Sequence, residues 1–219
     1  MAVPKLTVYL DIVSPFAYLA FYMTKNARIF KDCDVSYVPI FLGGVMKACN
    51  NIPPIEIKNK GKWIGLDRLR WSRYCNIPMR EQMPDGFPPL TLQIMRVLCA
   101  VQIAHPQKLT EAFDKLYEGM WVHGNAVHKP EVFSGVLAEV LGSVESKAVI
   151  AKAGEKEVKD LLLRKTDACL AEGAFGLPWF SATNAQGQKE CFWGFDHLGQ
   201  VIEHLGLDRS KAPEFKAML

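Results

Sequence analysis

The 219-residue sequence has six cysteines, but no two stand in a C-x-x-C pair, and none groups with the five histidines at zinc-site spacing. Dithiol exchange and a metal centre are therefore not expected. Cys33, Cys49, Cys75, Cys99, Cys169 and Cys191 read as buried, reduced thiols. No run approaches the ~18 uninterrupted apolar residues of a membrane-spanning helix, because charges or prolines break each apolar segment. Met1 to Lys5 leads into an apolar stretch interrupted by Asp11, without the charged segment, longer apolar core and cleavage site of a secretory signal. A soluble intracellular protein is expected. The net charge of +3 comes without a dense basic stripe, so neither nucleic acid nor a membrane is an expected partner. Internal repeats and low-complexity tracts are missing as well.

With 49% hydrophobic and 22% charged residues, the composition fits a globular protein of one or two domains that acts on small molecules. Leu6 to Val13 has strand composition and runs into Ser14-Pro15, a favoured N-cap followed by a favoured first helical residue. Phe16, Leu19, Ala20, Met23, Ala27 and Phe30 recur at helical spacing, and Val35 to Leu42 reads as a second strand ending at Gly43-Gly44. This is a βαβ opening, expected to be parallel. After Pro53-Pro54 the pattern becomes helical. Helices are predicted over Ile64 to Cys75, Leu90 to His105, Leu109 to Val122, Pro130 to Leu141 and Glu155 to Glu172. Strands return at Pro178 to Thr183 and Lys189 to Trp193, around the turn-like Asn184-Ala185-Gln186-Gly187. Asp196 is a predicted N-cap for a last helix, Leu198 to Leu205, stopped by Gly206. The expected fold is α/β: a thioredoxin-like fold (1–58 and 171–219) with an all-helical domain (59–170) inserted in its middle.

The sharpest chemical feature is Asp11-Ile12-Val13-Ser14-Pro15-Phe16, which sets a hydroxyl at a helix N-terminus directly after a strand. Such an end favours anions by about 0.3–1 kcal/mol through its dipole, and a hydrogen bond to a charged group adds about 1.5–3 kcal/mol. A free thiol titrates near 8.5, and lowering it by about two units takes roughly 2.7 kcal/mol, within that combined reach. Ser14 would then stabilise a thiolate rather than attack. Its plain alternative is to cap its own helix. The slot where a thiol-disulfide enzyme carries its C-x-x-C reads Ser14-Pro15-Phe16-Ala17, so a thiol has to come from a substrate. The second feature, Gly173-Ala174-Phe175-Gly176-Leu177-Pro178, precedes the returning strand. A cis proline there would offer the Leu177 backbone to an extended peptide, but only about 5–6% of X-Pro bonds are cis, which favours an ordinary trans turn.

The stretches D-I-V-S-P-F-A-Y, V-M-K-A-C-N-N-I-P-P, G-A-F-G-L-P and W-G-F-D-H follow the order and spacing of kappa-class glutathione transferases, which this chain resembles over nearly its whole length. Bacterial 2-hydroxychromene-2-carboxylate isomerases share the fold and the serine-proline junction. The resemblance implies a DsbA-like thioredoxin fold and glutathione as co-substrate. By it Ser14, flanked by Pro15 and Phe16, meets the glutathione sulfur and Asn51 lines the cleft. Leu177, before a cis-Pro178, pairs with the cysteinyl backbone, and Asp196 holds the γ-glutamyl end. Lys60, in Asn59-Lys60-Gly61, attracts a carboxylate or is a solvated loop lysine. The family commonly has serine where this chain has Phe195, so a side-chain hydroxyl is lost, although backbone N–H groups at the start of the last helix can still hold a carboxylate.

The implied activity is conjugation of glutathione to small electrophiles, with peroxide reduction as a side activity and no metal or flavin. The alternatives are a glutathione-dependent isomerase and a non-catalytic glutathione- or ligand-binding protein. A homodimer is implied too. Ala217-Met218-Leu219 weakly resembles a peroxisomal tripeptide, which leaves peroxisome, mitochondrion and cytoplasm open. Other side chains have plainer readings: Cys49 as an inert small hydrophobe near the cleft, and His123 and His128 as histidines without an evident carboxylate partner. Lys58, Lys60, Lys62, Arg68, Arg70 and Arg73 read as a solvated basic face. Trp63, Trp71 and Trp121 read as helix-packing residues or as the lining of an acceptor pocket.

Overall fold

The computed structural model describes residues 2–211, so the tripeptide Ala217-Met218-Leu219 lies outside the described residues. A four-stranded sheet in the order β2-β1-β3-β4 forms the frame. Strand β1 (Lys5–Leu10) pairs in parallel with β2 (Asp34–Pro39) across helix α1 (Pro15–Asn26), and antiparallel with β3 (Trp179–Thr183). Strand β4 (Lys189–Trp193) closes the hairpin on β3, and α9 (Leu198–Leu205) follows. The βαβ and ββα halves thus meet along β1 and β3. Between them the chain runs through α2 (Leu42–Ala48), α3 (Lys60–Tyr74), α4 (Leu92–Ala104), α5 (Leu109–Tyr117), α6 (Pro130–Leu141), α7 (Ser143–Lys152) and α8 (Lys156–Ala171).

Several elements differ from the sequence expectation. The first strand stops at Leu10 rather than Val13, because Asp11 to Ser14 closes a turn in which the Ser14 N–H donates to the Asp11 carbonyl at 3.1 Å. The second strand stops at Pro39, and Gly43-Gly44, read as its end, lie inside α2. Tertiary hydrogen bonds make that switch: the Phe41 N–H donates to Thr166 Oγ1 and the Leu42 N–H to Asp11 Oδ2. A Cβ on Gly43 would lie 2.7 Å from the Phe41 ring, so a larger residue there would push that ring off the first turn of α2. Helix α7 was not expected; it buries only Ser146 and Val149, too narrow a stripe for a clear helical period. The predicted helix over Leu109 to Val122 is α5 continued by a π-helical turn, Glu118–Val122. Asp196 does not cap α9: it sits within a short 3-10 turn, Phe195–His197, and His197 takes the cap position. The hairpin turn is held as expected by Asn184, whose Oδ1 accepts from the N–H groups of Gln186 and Gln188.

Among the described residues, no helix is long and apolar enough to cross a membrane. The apolar core is continuous from the sheet into the helices. Phe21, at 0% exposure on α1, packs its ring against Tyr37 of β2 at 4.8 Å and against Tyr117 and Phe113 of α5 at 5.3 and 5.9 Å. It therefore couples the sheet to the helical segment. Phe21→Ala should lower unfolding stability by about 3–5 kcal/mol through lost burial and the cavity it leaves. Urea denaturation checks this, and a loss under about 1 kcal/mol would show that the two parts do not share this core.

Candidate active site

Ser14 lies at the N-cap of α1, with extended backbone angles (φ −87°, ψ 118°), Pro15 next in the chain and 7% exposure. Its Oγ accepts from the Ala17 N–H at 3.2 Å, so the capping role weighed from sequence is real. The hydroxyl proton points elsewhere, toward the Leu177 carbonyl at a long 3.5 Å. In the first helical turn Pro15 carries no N–H, that of Ala17 is capped by Ser14 and that of Tyr18 bonds the Ser14 carbonyl. This leaves the Phe16 N–H to a ligand. The turn thus presents a weakly engaged hydroxyl and an N–H donor at the positive end of a twelve-residue helix.

The Leu177-Pro178 peptide is cis, so the trans turn favoured by base rates is not what forms. Leu177 stands outside the ladder, which begins at Trp179, and the Pro178 carbonyl accepts from the Gly194 N–H at 3.0 Å. Asn51 Nδ2 donates to the Phe175 carbonyl at 3.0 Å and Cys49 Sγ to the Ala174 carbonyl at 3.4 Å. Both side chains after α2 therefore brace the segment that leads into Leu177. At Gly176 a Cβ would meet the Trp193 indole nitrogen at 2.7 Å, so a larger residue there would displace that exposed indole. The structure so joins Ser14 to Leu177 directly, and Asn51 to the same segment.

Lys60 is not a loop lysine but the exposed first residue of α3, after Asn59 in left-handed conformation (φ 71°). Asp196 is exposed, with Oδ1 3.4 Å from His197 Nδ1, and its charge helps to raise the pKa of Asp67 on α3, where burial is the larger cause. Phe195 cannot serve as a side-chain ligand: it is 1% exposed and packs edge-on against Trp71 with ring centroids 5.4 Å apart. Only its backbone can face a ligand. Trp71 is thus a packing residue, as is Trp121, whose buried indole donates to the Ile12 carbonyl at 2.9 Å; Trp63 is exposed beneath Arg70.

Arg68 departs from the expected solvated face. It is 1% exposed, lies over Trp121 and donates from its two terminal nitrogens to the carbonyls of Arg80 and Glu81. His123 does have a carboxylate neighbour, Glu118, at 3.6 Å. His128 and Lys129 help line a cavity of about 400 Å³ with Pro84, Met120 and Gly124, which includes none of the predicted site residues. No disulfide joins the cysteines, but only Cys75, Cys99 and Cys169 are buried, and Cys49 is exposed because it sits on the surface loop after α2. Burial pushes the Cys33 thiol up to about 12 and that of Cys99 to about 11, which keeps both protonated near neutral pH.

Asp11, noted in sequence only as part of the motif, is the residue that sequence reasoning missed. It is 0% exposed, and its carboxylate accepts from the Val13 N–H at 3.2 Å, the Leu42 N–H at 2.9 Å and the Thr91 hydroxyl at 3.0 Å. An acid four places before a helix, in an apolar run, was the one local signal for it. Burial raises its pKa from 3.8 to about 6, against the opposing effect of those three donors.

A strand-to-helix junction beside a proline-led strand, with serine in the thiol position, defines a thioredoxin-fold protein that lacks its own reactive dithiol. The chain belongs to the DsbA-like thioredoxin domain family, whose model matches residues 5–212. It is 24% identical over 212 residues to glutathione S-transferase kappa 1 of Caenorhabditis elegans, covering 92% of this chain and 91% of that protein. It is 25% identical over 202 residues to 2-hydroxychromene-2-carboxylate isomerase of Sphingobium xenophagum, covering 90% and 95%. A solved structure of a 2-hydroxychromene-2-carboxylate isomerase superposes with a TM-score of 0.72 at 19% identity, covering 92% of this chain and 94% of that one.

The Asp11 titration has a measurable consequence. Between about pH 4 and 6 the folded carboxyl binds more protons than the unfolded one, so its contribution to stability falls as pH rises through that window. Asp11→Asn should remove this downward component. Urea midpoints of both proteins from about pH 4 to about pH 7 test it. A wild-type minus variant difference that does not change with pH would contradict the assignment.

Proposed function

We propose that this chain is a glutathione transferase of the kappa type, which binds glutathione as co-substrate and activates its sulfur as a thiolate for attack on small electrophiles. The observation that carries the reading is the junction itself: a hydroxyl caps α1 and directs its proton only weakly, at 3.5 Å, to the Leu177 carbonyl. That proton can turn toward a thiolate. The Ala17 N–H, by donating to Oγ, polarises the hydroxyl and strengthens it as a donor. The Leu177 carbonyl, released from Ser14, is then available to an amide N–H of the bound tripeptide, in the manner of an added strand. Phe16 contributes its backbone N–H and α1 its dipole.

In this reading Asn51 holds the cleft wall and Lys60 attracts a carboxylate. Asp196, with the backbone of Phe195, takes the γ-glutamyl end, the carboxylate of Asp196 suiting its ammonium group. The helical segment 59–170 shapes the acceptor site, and the protein works as an intracellular homodimer in detoxification. The curated relatives at 24–27% identity support the transferase chemistry. Similarity to the isomerase across 95% of its length favours one alternative, in which the same thiolate adds reversibly to a conjugated substrate that is then released rearranged. Consumption of free thiol separates the two: conjugation depletes it in proportion to product, and isomerisation does not.

Ultraviolet titration of bound glutathione should show a thiol pKa well below the free value of about 8.5. Ser14→Ala should raise it and cut turnover by about ten- to a hundredfold, the cost of one hydrogen bond to a charged group. An unshifted thiol in the wild-type complex would sink the transferase mechanism.

A further inference from the structure

We propose that Asp11 is a positioning residue for the Ser14 centre: its carboxylate locks the turn at residues 11–14 to the first residue of α2 and to Thr91 ahead of α4, and so fixes the direction of the Ser14 hydroxyl. The proposal rests on the glutathione reading only for what that hydroxyl acts upon; the lock itself is a property of the chain.

Both carboxylate oxygens are used. Oδ1 accepts from the Val13 N–H, immediately before Ser14, and Oδ2 accepts from both the Leu42 N–H and the Thr91 hydroxyl. The main chain of the same turn is held independently, since the Asp11 carbonyl accepts from the Ser14 N–H at 3.1 Å and the Tyr117 hydroxyl at 3.2 Å. The Ile12 carbonyl takes the Trp121 indole. Removing the side-chain lock would therefore not release the whole turn. It would free the Val13 peptide, and with it the φ and ψ of Ser14 that aim Oγ between the Ala17 N–H and the Leu177 carbonyl.

A residue needed only to fill this space would be better neutral. A fully buried carboxylate carries a desolvation penalty, and here the groups that offset it are neutral donors. Asparagine cannot substitute. With its carbonyl oxygen placed for Leu42 and Thr91, its NH₂ group would face the Val13 N–H, donor against donor. The groups packed against the carboxylate are the Leu42 backbone from α2, Thr91 from the start of α4 and Tyr117 from α5. Tyr117 is the titratable one among them, and burial with the Asp11 charge holds it protonated.

Amide hydrogen exchange in the unliganded protein tests the lock directly. In Asp11→Asn, exchange at Ser14 and Ala17 should accelerate about tenfold or more beyond any change in the β1–β3 ladder, the scale expected for losing one hydrogen bond to a charged group. Thr91→Val, which leaves the Val13 and Leu42 bonds in place, should give the same pattern at smaller amplitude. Glutathione-bound Asp11→Asn should keep affinity within a few-fold of wild type while its bound thiol pKa rises, a readout that a purely structural role would not move. Uniform acceleration of core amides, or an unchanged thiol pKa in a wild type that lowers it, overturns the proposal. Should Asp11→Asn fail to fold, Thr91→Val decides alone, and Ser14 and Ala17 amides that exchange no faster relative to the ladder refute it. A wild type that leaves the thiol unshifted defeats the transferase reading, and the exchange data still judge the lock.

Discussion

The carboxylate of Asp11 is wholly buried, and the hydrogen bonds that compensate for its desolvation arrive from α2, from Thr91 ahead of α4 and from its own turn. Burying a charge without such partners would cost several kcal/mol, so these segments are obliged to stay where their donors reach it. The obligation spreads outward. Leu42 begins α2 because its N–H is committed to Asp11, and α2 in turn delivers Cys49 and Asn51 to the carbonyls of Ala174 and Phe175. Those carbonyls lie on the approach to Leu177, which faces Ser14. The two halves of the sheet, separated in sequence by the helical segment, are thereby closed on each other around one turn.

This chain of dependence also explains what could be read from sequence. Helix α6 and strand β4 were predicted with their observed bounds, because proline opens α6 and the Asn184 turn sets β4, both local signals. The Ser14 cap was legible for the same reason: it needs only serine, proline and the helical period after them. Whatever depends on partners far along the chain was not. Phe41 and Leu42 leave the strand for bonds to Thr166 and Asp11, which lie 125 and 31 residues away. Arg68 belongs to a run of basic residues that reads as surface, yet carbonyls of the following loop and the Trp121 face draw it inside. Phe195 occupies a position expected to face the ligand, but Trp71 on α3 gives it an apolar place in the core. The site was thus visible where it depends on local chain geometry, and hidden where a residue's direction is set by packing.

Serine at this junction changes what the framework can do. In a thiol-disulfide enzyme the helix N-terminus lowers the pKa of a resident cysteine, and a second cysteine resolves the mixed disulfide. A hydroxyl takes no part in that exchange, and near neutral pH it stays protonated, so the same position becomes a hydrogen-bond donor. The half-buried Cys33 and the buried Cys99 offer no replacement, since desolvation raises their thiols to about 12 and 11. Anion stabilisation at the α1 N-terminus survives the exchange of cysteine for serine, because the dipole and the Phe16 N–H do not depend on the cap's identity. Under the proposed function, such a junction would hold another molecule's sulfur as an anion while that molecule presents an extended backbone to Leu177. On the proposed reading a small thiol without peptide groups would meet only half of those contacts, so the junction would favour a thiol carried by a peptide.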